Sequence, residues 1–364
     1  MAKFDESSIY DYTLDELKEI LKPSFRAKQV YNWLYKKYAN SYEDMKNLPK
    51  ELIEDLKTNY PIDILKVVKK EQSSDGSIKY LFKLRDNHTI EAVLLLMKDK
   101  KIDEDGQIVR SEKYTVCISS QVGCKVGCSF CLTARGGFVR NLTVGEYIAQ
   151  IVHIKRDNEI AENKALNIVY MGMGEPLDNF DNFVKAVEIF SELDGLAISR
   201  RRQTVSTSGI ASKIKKLGEK DLQIQLAISL HAVDDELRSE LIPMNKAYNI
   251  ASIIEAVKEF PVDTRKKVMF EYLVIKDKND SLDAAKKLVK LLDGIQAKVN
   301  LIYFNPYAET SYQRPLETDM MRFKDFLNSK GVICTIRESK GLDISAACGQ
   351  LREKDIKKDE NGNS

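Results

Sequence analysis

The chain has no long apolar run, no secretory leader pattern and almost no net charge. None of its apolar stretches reaches the roughly 18 residues that a helical membrane span requires, so an integral helical membrane protein is excluded. With 57 basic and 55 acidic residues the net charge is +2, and a polyanionic partner would have to be met by a local patch rather than by the whole surface. No signal segment precedes the six cysteines, three of which stand too close together for a disulfide framework; both features point to a soluble protein of the reducing cytoplasm. What remains is a chain of 364 residues, long enough for two domains and a sizeable core.

The stretch from Cys117 to Arg140, CISSQVGCKVGCSFCLTARGGFVR, organises the rest. Cys124, Cys128 and Cys131 stand in a CxxxCxxC spacing, one ligand short of a closed four-cysteine site. Three thiolates on one short loop can hold three irons of a cubane cluster and leave the fourth open to a substrate. Glycines at 123, 127, 136 and 137 let the backbone wrap closely around a bulky inorganic core. The alternative is a zinc loop that borrows a distant ligand, although zinc ligands usually come as separated pairs. A CxxxCxxC followed by a large α/β chain resembles the radical S-adenosylmethionine (SAM) enzymes.

Up to about Pro61 the apolar spacing predicts helices: Leu14, Leu17, Ile20 and Leu21, then Val30, Trp33 and Leu34, then Leu52, Ile53 and Leu56. Lys22, Arg26, Lys28, Lys36 and Lys37 occur with no acid among them, beside Tyr31 and Tyr35. Such a face suits a phosphate backbone or is simply solvated. From Ile64 to Met97 alternation and two turns predict a small antiparallel meander, in which Glu91 reads as an outward-facing strand residue. The charged segment Lys98 to Lys113 reads as a flexible excursion. Beyond Arg140 helices alternate with strands, six or seven of the latter counting 114–119, as expected of an α/β chain with an open, partial (β/α)6 TIM-like barrel. The expected division is an accessory unit at 1–98, of small helical bundle then meander; a barrel at 99–338; and a terminal loop and tail at 339–364. The last residues, Arg352 to Ser364, are polar and expected to be disordered.

In such barrels chemistry gathers at the C-terminal ends of the strands. GMGEP, STSG, SLH and FNP all fall there, offering Gly174, Glu175, Ser206, Ser229, Leu230, His231 and Asn305. Each alone could be a cap or a turn residue; their recurrence at successive strand ends points to cofactor contacts, with Glu175 suited to an ammonium or ribose group. Cys334, among β-branched residues, reads as a buried structural cysteine. Cys348, flanked by Ala346, Ala347 and Gly349, reads as a candidate nucleophile.

The set CISSQVGCKVGCSFCLTARGGFVRNL, MGMGEPLDN, STSGI, ISLHAVDDELR, NLIYFNP and DISAACGQL resembles the RlmN/Cfr family of radical SAM RNA adenosine methyltransferases, over nearly the whole chain from about Arg26 to Leu351. That resemblance implies a [4Fe-4S] cluster on Cys124, Cys128 and Cys131, and SAM held by the strand-end residues named above. It implies methylation of adenine C2 in 23S rRNA (adenosine 2503) and tRNA (adenosine 37), using two SAM per turnover; the Cfr branch acts at C8 instead. Cys348 would carry the methyl group, Cys117 would release the RNA by forming a disulfide, and Glu91 would accept the proton. RNA contacts are expected from the face around Arg26 to Lys37 and from Arg200, Arg201 and Arg202, with a flavodoxin-type electron donor and a monomeric enzyme.

Overall fold

In a computed structural model of the chain, which describes residues 7–98, 101–102, 108–162, 164–262, 267–307 and 310–351, the elements begin with three helices. They are α1 (Leu14–Ile20), α2 (Phe25–Tyr35) and α3 (Lys50–Asn59). Thr13 starts α1 with a reciprocal cap: its hydroxyl accepts from Glu16 N–H at 3.2 Å, and its own N–H donates to the Glu16 carboxylate at 2.8 Å. The expected apolar faces of these helices turn inward except at Ile20, which is exposed, and Leu17, Val30, Leu34 and Leu56 are fully buried.

The meander follows as β1 (Leu65–Gln72), β2 (Ile78–Leu84) and β3 (Thr89–Lys98). Lys98 to Lys113 was expected to be a flexible excursion; where it is described, β4 (Lys101–Ile102) pairs with β5 (Ile108–Arg110) as a short antiparallel ribbon. The rest of that expectation, and the disordered tail at 352–364, lie outside the described residues. Next come β6 (Lys113–Cys117), β7 (Gln121–Gly123), α4 (Leu132–Arg135) and β8 (Phe138–Asn141), then α5 (Val144–Asp157) and β9 (Leu166–Tyr170). The alternation continues through α6 (Phe180–Ser191), β10 (Gln203–Thr207), α7 (Ala211–Lys220), β11 (Gln225–Ser229), α8 (Asp235–Leu241), α9 (Ile250–Glu259) and β12 (Val268–Val274). It closes with α10 (Leu282–Leu291), β13 (Ala297–Tyr303), α11 (Glu317–Ser329) and β14 (Ile333–Arg337).

Ten strands form one sheet, in the order β1-β2-β3-β6-β9-β10-β11-β12-β13-β14. The seven from β6 to β14 are parallel, joined by six helical crossovers, and the two edges do not pair with each other. This is the expected partial barrel, six βα units and a last strand. The meander adds to it edge to edge: β3 pairs antiparallel with β6, Val93 opposite Cys117. Helices return antiparallel to the strands, so the loops that leave strands open on one end of the barrel and those that leave helices on the other. Register then fixes the faces. Ser229, Glu271, Asn300 and Thr335 form one row across β11 to β14, and residues in a row point to the same side.

Candidate active site

The cluster loop is pinned before its cysteines are placed. β7 and β8 form a ribbon so tight that a Cβ on Gly123, whose φ is +74°, would lie 1.9 Å from the Gly137 carbonyl oxygen. Cys124 N–H donates to that same oxygen at 2.7 Å, and Cys131 N–H to the Cys128 carbonyl at 3.2 Å. All three thiols then line one cavity at the C-terminal ends of the barrel strands. Burial pushes each of them up, Cys124 to about 12 and Cys128 well above the ordinary thiol value, and at Cys128 the charges of Cys131 and Cys124 add to it. Three adjacent thiolates in such a place become favourable when cationic iron compensates them, so the donor set fits a cubane held by three cysteines.

The strand-end motifs meet in the same cavity. Gly174, at φ +100°, packs so close to the cluster loop that a Cβ would lie 2.6 Å from the Ser120 hydroxyl. Glu175 is buried, and burial raises its carboxyl while Ser208 opposes the shift. Its Oε2 accepts from Ser208 N–H at 2.7 Å and its Oε1 from Leu177 N–H at 3.1 Å, so it ties GMGEP to STSG. Ser206 and Ser229 bring their hydroxyls within 3.4 Å of each other. His231 Nδ1 accepts from Leu273 N–H at 3.0 Å, and burial with the nearby Arg238 pushes the imidazole down to about 3. The ring is therefore neutral, with its proton on Nε2. Asn305 is held between Ser339 at 2.8 Å and Arg314 at 2.7 Å. Leu230 sits between them with its side chain buried and its N–H on the Glu271 carbonyl at 3.1 Å, contributing backbone rather than a cavity wall.

Cys117 and Cys348 border a smaller cavity that they share with Arg337, and Cys348 lines the larger one as well. Cys117 is buried, and desolvation followed by the charge of Cys348 pushes its thiol up to about 12. Arg337 is pushed up by Cys348 first, with Glu271 and Cys117 contributing, so one guanidinium faces three acidic groups. Glu91 is buried rather than outward-facing, as the strand pattern alone suggested. It stands on β3 two residues from the partner of Cys117, with Lys79 Nζ 3.6 Å from its Oε1, and it is not among the residues lining either cavity.

Sequence reasoning passed over three residues. Arg238, fully buried on α8, donates to the carbonyls of Ser208 at 2.6 Å, Ser229 at 3.1 Å and Leu230 at 3.1 Å, and to Asn245 Oδ1 at 2.8 Å. Glu271 is buried on β12; Asn300 donates to its Oε1 at 3.2 Å, and its Oε2 has no hydrogen-bond partner among the described residues. Arg337 is the third. No local signal marks any of them, because their partners arrive from other strands and loops.

The basic stretches expected to contact RNA lie away from the cavity. Lys28 pairs with Asp194 at 3.1 Å and Lys36 with Glu162 at 3.2 Å, both acids in loops that follow helices. Arg200–Arg202 immediately precede β10. Both basic stretches therefore lie at the end of the barrel remote from the cavity, because helix-to-strand loops gather there.

A partial barrel whose open end joins a three-cysteine loop to a ring of strand-end polar groups defines a radical SAM enzyme. Residues 118–289 match the radical SAM superfamily, and residues 7–62 match the ribosomal RNA large subunit methyltransferase N-terminal domain. A dual-specificity RNA methyltransferase RlmN of Aliarcobacter butzleri (strain RM4018) is 89% identical over 364 residues, covering 100% of both chains. That of Sulfurimonas denitrificans is 65% identical over 347 residues, 95% of this chain and 98% of its own. The crystal structure of a radical SAM methyltransferase from Sphaerobacter thermophilus superposes with a TM-score of 0.87 at 42% identity, over 95% of this chain and 99% of that one. The chain belongs to the RlmN family of radical SAM RNA methyltransferases, and it is an enzyme. Its cofactors are accordingly a [4Fe-4S] cluster and SAM, which sets aside the zinc loop.

Proposed function

We propose that the enzyme methylates C2 of an adenosine, in both 23S rRNA and tRNA, through an S-methyl group carried on Cys348. The relatives bear the name of dual-specificity RNA methyltransferases, and an unstacked adenine is the form of RNA substrate that a barrel mouth admits. The observation that carries the reading is the double position of Cys348, on the wall of the cluster cavity and on that of the pocket it shares with Cys117. From the first it can take a methyl group, and from the second it can be attacked by a second thiol.

Cys124, Cys128 and Cys131 would hold the cluster, and Gly174, Glu175, Ser206, Ser229, Leu230, His231 and Asn305 would hold SAM. When bound, these cofactors supply an electrophilic methyl group and a carbon radical able to remove hydrogen from a methyl group, which is what an electron-poor, non-acidic aromatic carbon requires. Cys348 Sγ, once deprotonated, would be the acceptor of the electrophilic methyl group that SAM supplies, with the sulfonium as leaving group. After hydrogen removal, the methylene carbon on Cys348 joins adenine C2, linking protein to RNA. Glu91 would receive the C2 proton; it lies on neither cavity wall, which leaves Cys117 as the competing acceptor. The adduct would shed its unpaired electron to the bound cofactors, and Cys117 sulfur would bond to Cys348 sulfur as the bond from Cys348 sulfur to the methylene carbon breaks; that carbon takes a proton, methylated RNA leaves, and the electron donor returns the disulfide to two thiols.

We further read residues 1–98 as an accessory unit, 99–338 as the barrel and 339–364 as the catalytic-cysteine loop and tail, in a monomeric cytoplasmic enzyme reduced by a flavodoxin-type donor. Among the described residues no helix is long and apolar enough to cross a membrane. The test of the chemistry is Cys117→Ala. Loading and addition proceed in that variant and release does not, so ribonuclease-treated protein should carry a nucleotide on the Cys348 peptide by mass spectrometry. Cys348→Ala should keep the cluster and make no methylated RNA, and the unaltered enzyme should yield 2-methyladenosine. Normal turnover by Cys117→Ala with no adduct would remove Cys117 from the mechanism, and 8-methyladenosine as product would replace C2 by C8.

A further inference from the structure

The segment that carries Cys348 has little to hold it by its own conformation. Between Arg337 and Leu351 the only regular structure is a single helical turn at Leu342–Ile344, and Gly341, Ser345 and Gly349 all have left-handed backbone, at φ +64°, +51° and +79°. A non-glycine residue in that region, as at Ser345, stays there only when its surroundings hold it. Two sets of hydrogen bonds do so, one on each side of the cysteine. On the C-terminal side, Leu132 N–H donates to the Gly349 carbonyl at 2.8 Å and Thr133 Oγ1 to the Leu351 carbonyl at 2.6 Å. Both donors belong to α4, the turn that follows Cys131.

The N-terminal side is held by a part of the molecule far away in sequence, the turn between β1 and β2. Ser73 Oγ donates to Asp343 Oδ1 at 2.6 Å and Ser74 N–H to Asp343 Oδ2 at 3.0 Å. In return Gly341 N–H donates to Asp75 Oδ2 at 2.8 Å, while Asp75 Oδ1 accepts from Ser77 N–H at 2.9 Å. Each loop thus lends a carboxylate to the other's donors. Hydrogen bonds to a carboxylate are the stronger kind, and the Ser73 hydroxyl with the Ser74 amide holds the Asp343 carboxyl below the usual carboxylate range.

We infer that Ser73, Asp75 and Asp343 form a clasp that positions Cys348, so that the edge hairpin of the sheet sets where the methyl-carrying thiol stands relative to the cluster cavity and to Cys117. None of the three touches either cavity; they are positioning residues. The inference rests on Cys348 being the methyl carrier. A thiol that must meet a methyl donor on one side and a second thiol on the other depends on angstrom-scale placement, and a displacement of about 1 Å in such a geometry costs roughly 100-fold in rate.

The test uses the cluster-loaded enzyme, kept anaerobic, with Asp343→Ala, Asp343→Asn, Asp75→Asn and the pair Ser73→Ala/Asp343→Ala. Asp343 is solvent-exposed, so iron content, melting temperature and the dissociation constant for SAM should stay at the values of the unaltered enzyme, as should KM for RNA. The kcat should fall about tenfold or more for Asp343→Ala, with part of it restored in Asp343→Asn, which keeps one acceptor oxygen. The Ser73→Ala/Asp343→Ala pair should be no slower than Asp343→Ala alone, since both changes open the same clasp. A kcat within twofold of the unaltered enzyme in both Asp343→Ala and Asp75→Asn would overturn the clasp, and so would a loss of iron or SAM binding in proportion to kcat. Mass measurement of the Cys348 peptide separates the two levels of the argument. A missing S-methyl group in the unaltered enzyme overturns the functional reading and the clasp with it, whereas a methyl group present there, with clasp variants turning over at the unaltered rate, overturns the clasp alone.

Discussion

Cys117 and Cys348 carry the same functional group in opposite settings. Cys117 is buried on β6, where desolvation pushes its thiol up to about 12, and Cys348 is exposed on a loop. Water can solvate a thiolate at Cys348 and not at Cys117, so the two should differ in the order in which they react. Brief treatment of the cluster-loaded enzyme, prepared without SAM so that Cys348 is a free thiol, with iodoacetamide at neutral pH should alkylate Cys348 at least about tenfold faster than Cys117, as read by peptide mass spectrometry. Equal rates would mean that Cys117 is not shielded as its burial indicates. Arg337 stands beside both, and its charge eases whichever sulfur is the anion at a given step.

Among the elements, α8 contributes no cavity-lining residue, yet its Arg238 holds the two loops that follow β10 and β11 by the carbonyls of Ser208, Ser229 and Leu230. Burial draws its guanidinium down to about 10, so it stays charged at neutral pH. Asp234 caps the helix by accepting from Leu237 N–H at 2.9 Å, which fixes the turn on which the arginine sits. Arg238→Ala would remove a donor from each of these buried acceptors, of which the Leu230 carbonyl keeps Ala232 N–H at 2.8 Å, at about 1–3 kcal/mol for each one left unpaired where water cannot reach. The variant should lose about 3 kcal/mol of stability in denaturant melts and bind SAM more weakly. A variant with unchanged stability and SAM affinity would show that the loops keep their shape without it.

For the molecule as a whole, the RNA must reach the cavity at the open end of the barrel, so the phosphates that flank the reacting nucleotide would be met there. Two cations at that end stand by aromatic rings: Lys125, which also pairs with Asp178 at 2.7 Å, is 5.5 Å from the ring centre of Phe138, itself 39% exposed, and Arg135 is 5.2 Å from that of Tyr307. Lys125→Ala with Arg135→Ala should weaken RNA binding and reduce the slope of log affinity against log salt by about 1–2. Arg200→Ala with Arg202→Ala, at the far end, should change the slope less. The reverse ranking in a filter-binding titration would place the RNA on the other end of the barrel.

Much of this was legible in the sequence, because it is written in local pattern. Alternating helical and extended periodicity gave the βα order and strand count, and hydrogen bonding between successive strands leaves few other ways to arrange them. The spacing of Cys124, Cys128 and Cys131 declared a cluster loop, because thiolates that bind one cluster from one loop must be near neighbours in the chain. Other features had no local signature. The union of meander and barrel in one sheet depends on β3 finding β6, and the burial of Glu91 follows from that pairing. The same holds for the distance of the basic stretches from the cavity, which depends on the direction of the strands beside them. Arg238, Glu271 and Arg337 became visible only when strands from distant parts of the chain lay side by side. The sequence by itself determined the order of the βα units and which residue types stand at the strand ends and on the three-cysteine loop, since those depend on neighbours a few residues away. Tertiary structure alone decided which groups share the cavity and what charge each bears, since desolvation and ion pairing depend on partners brought together by folding.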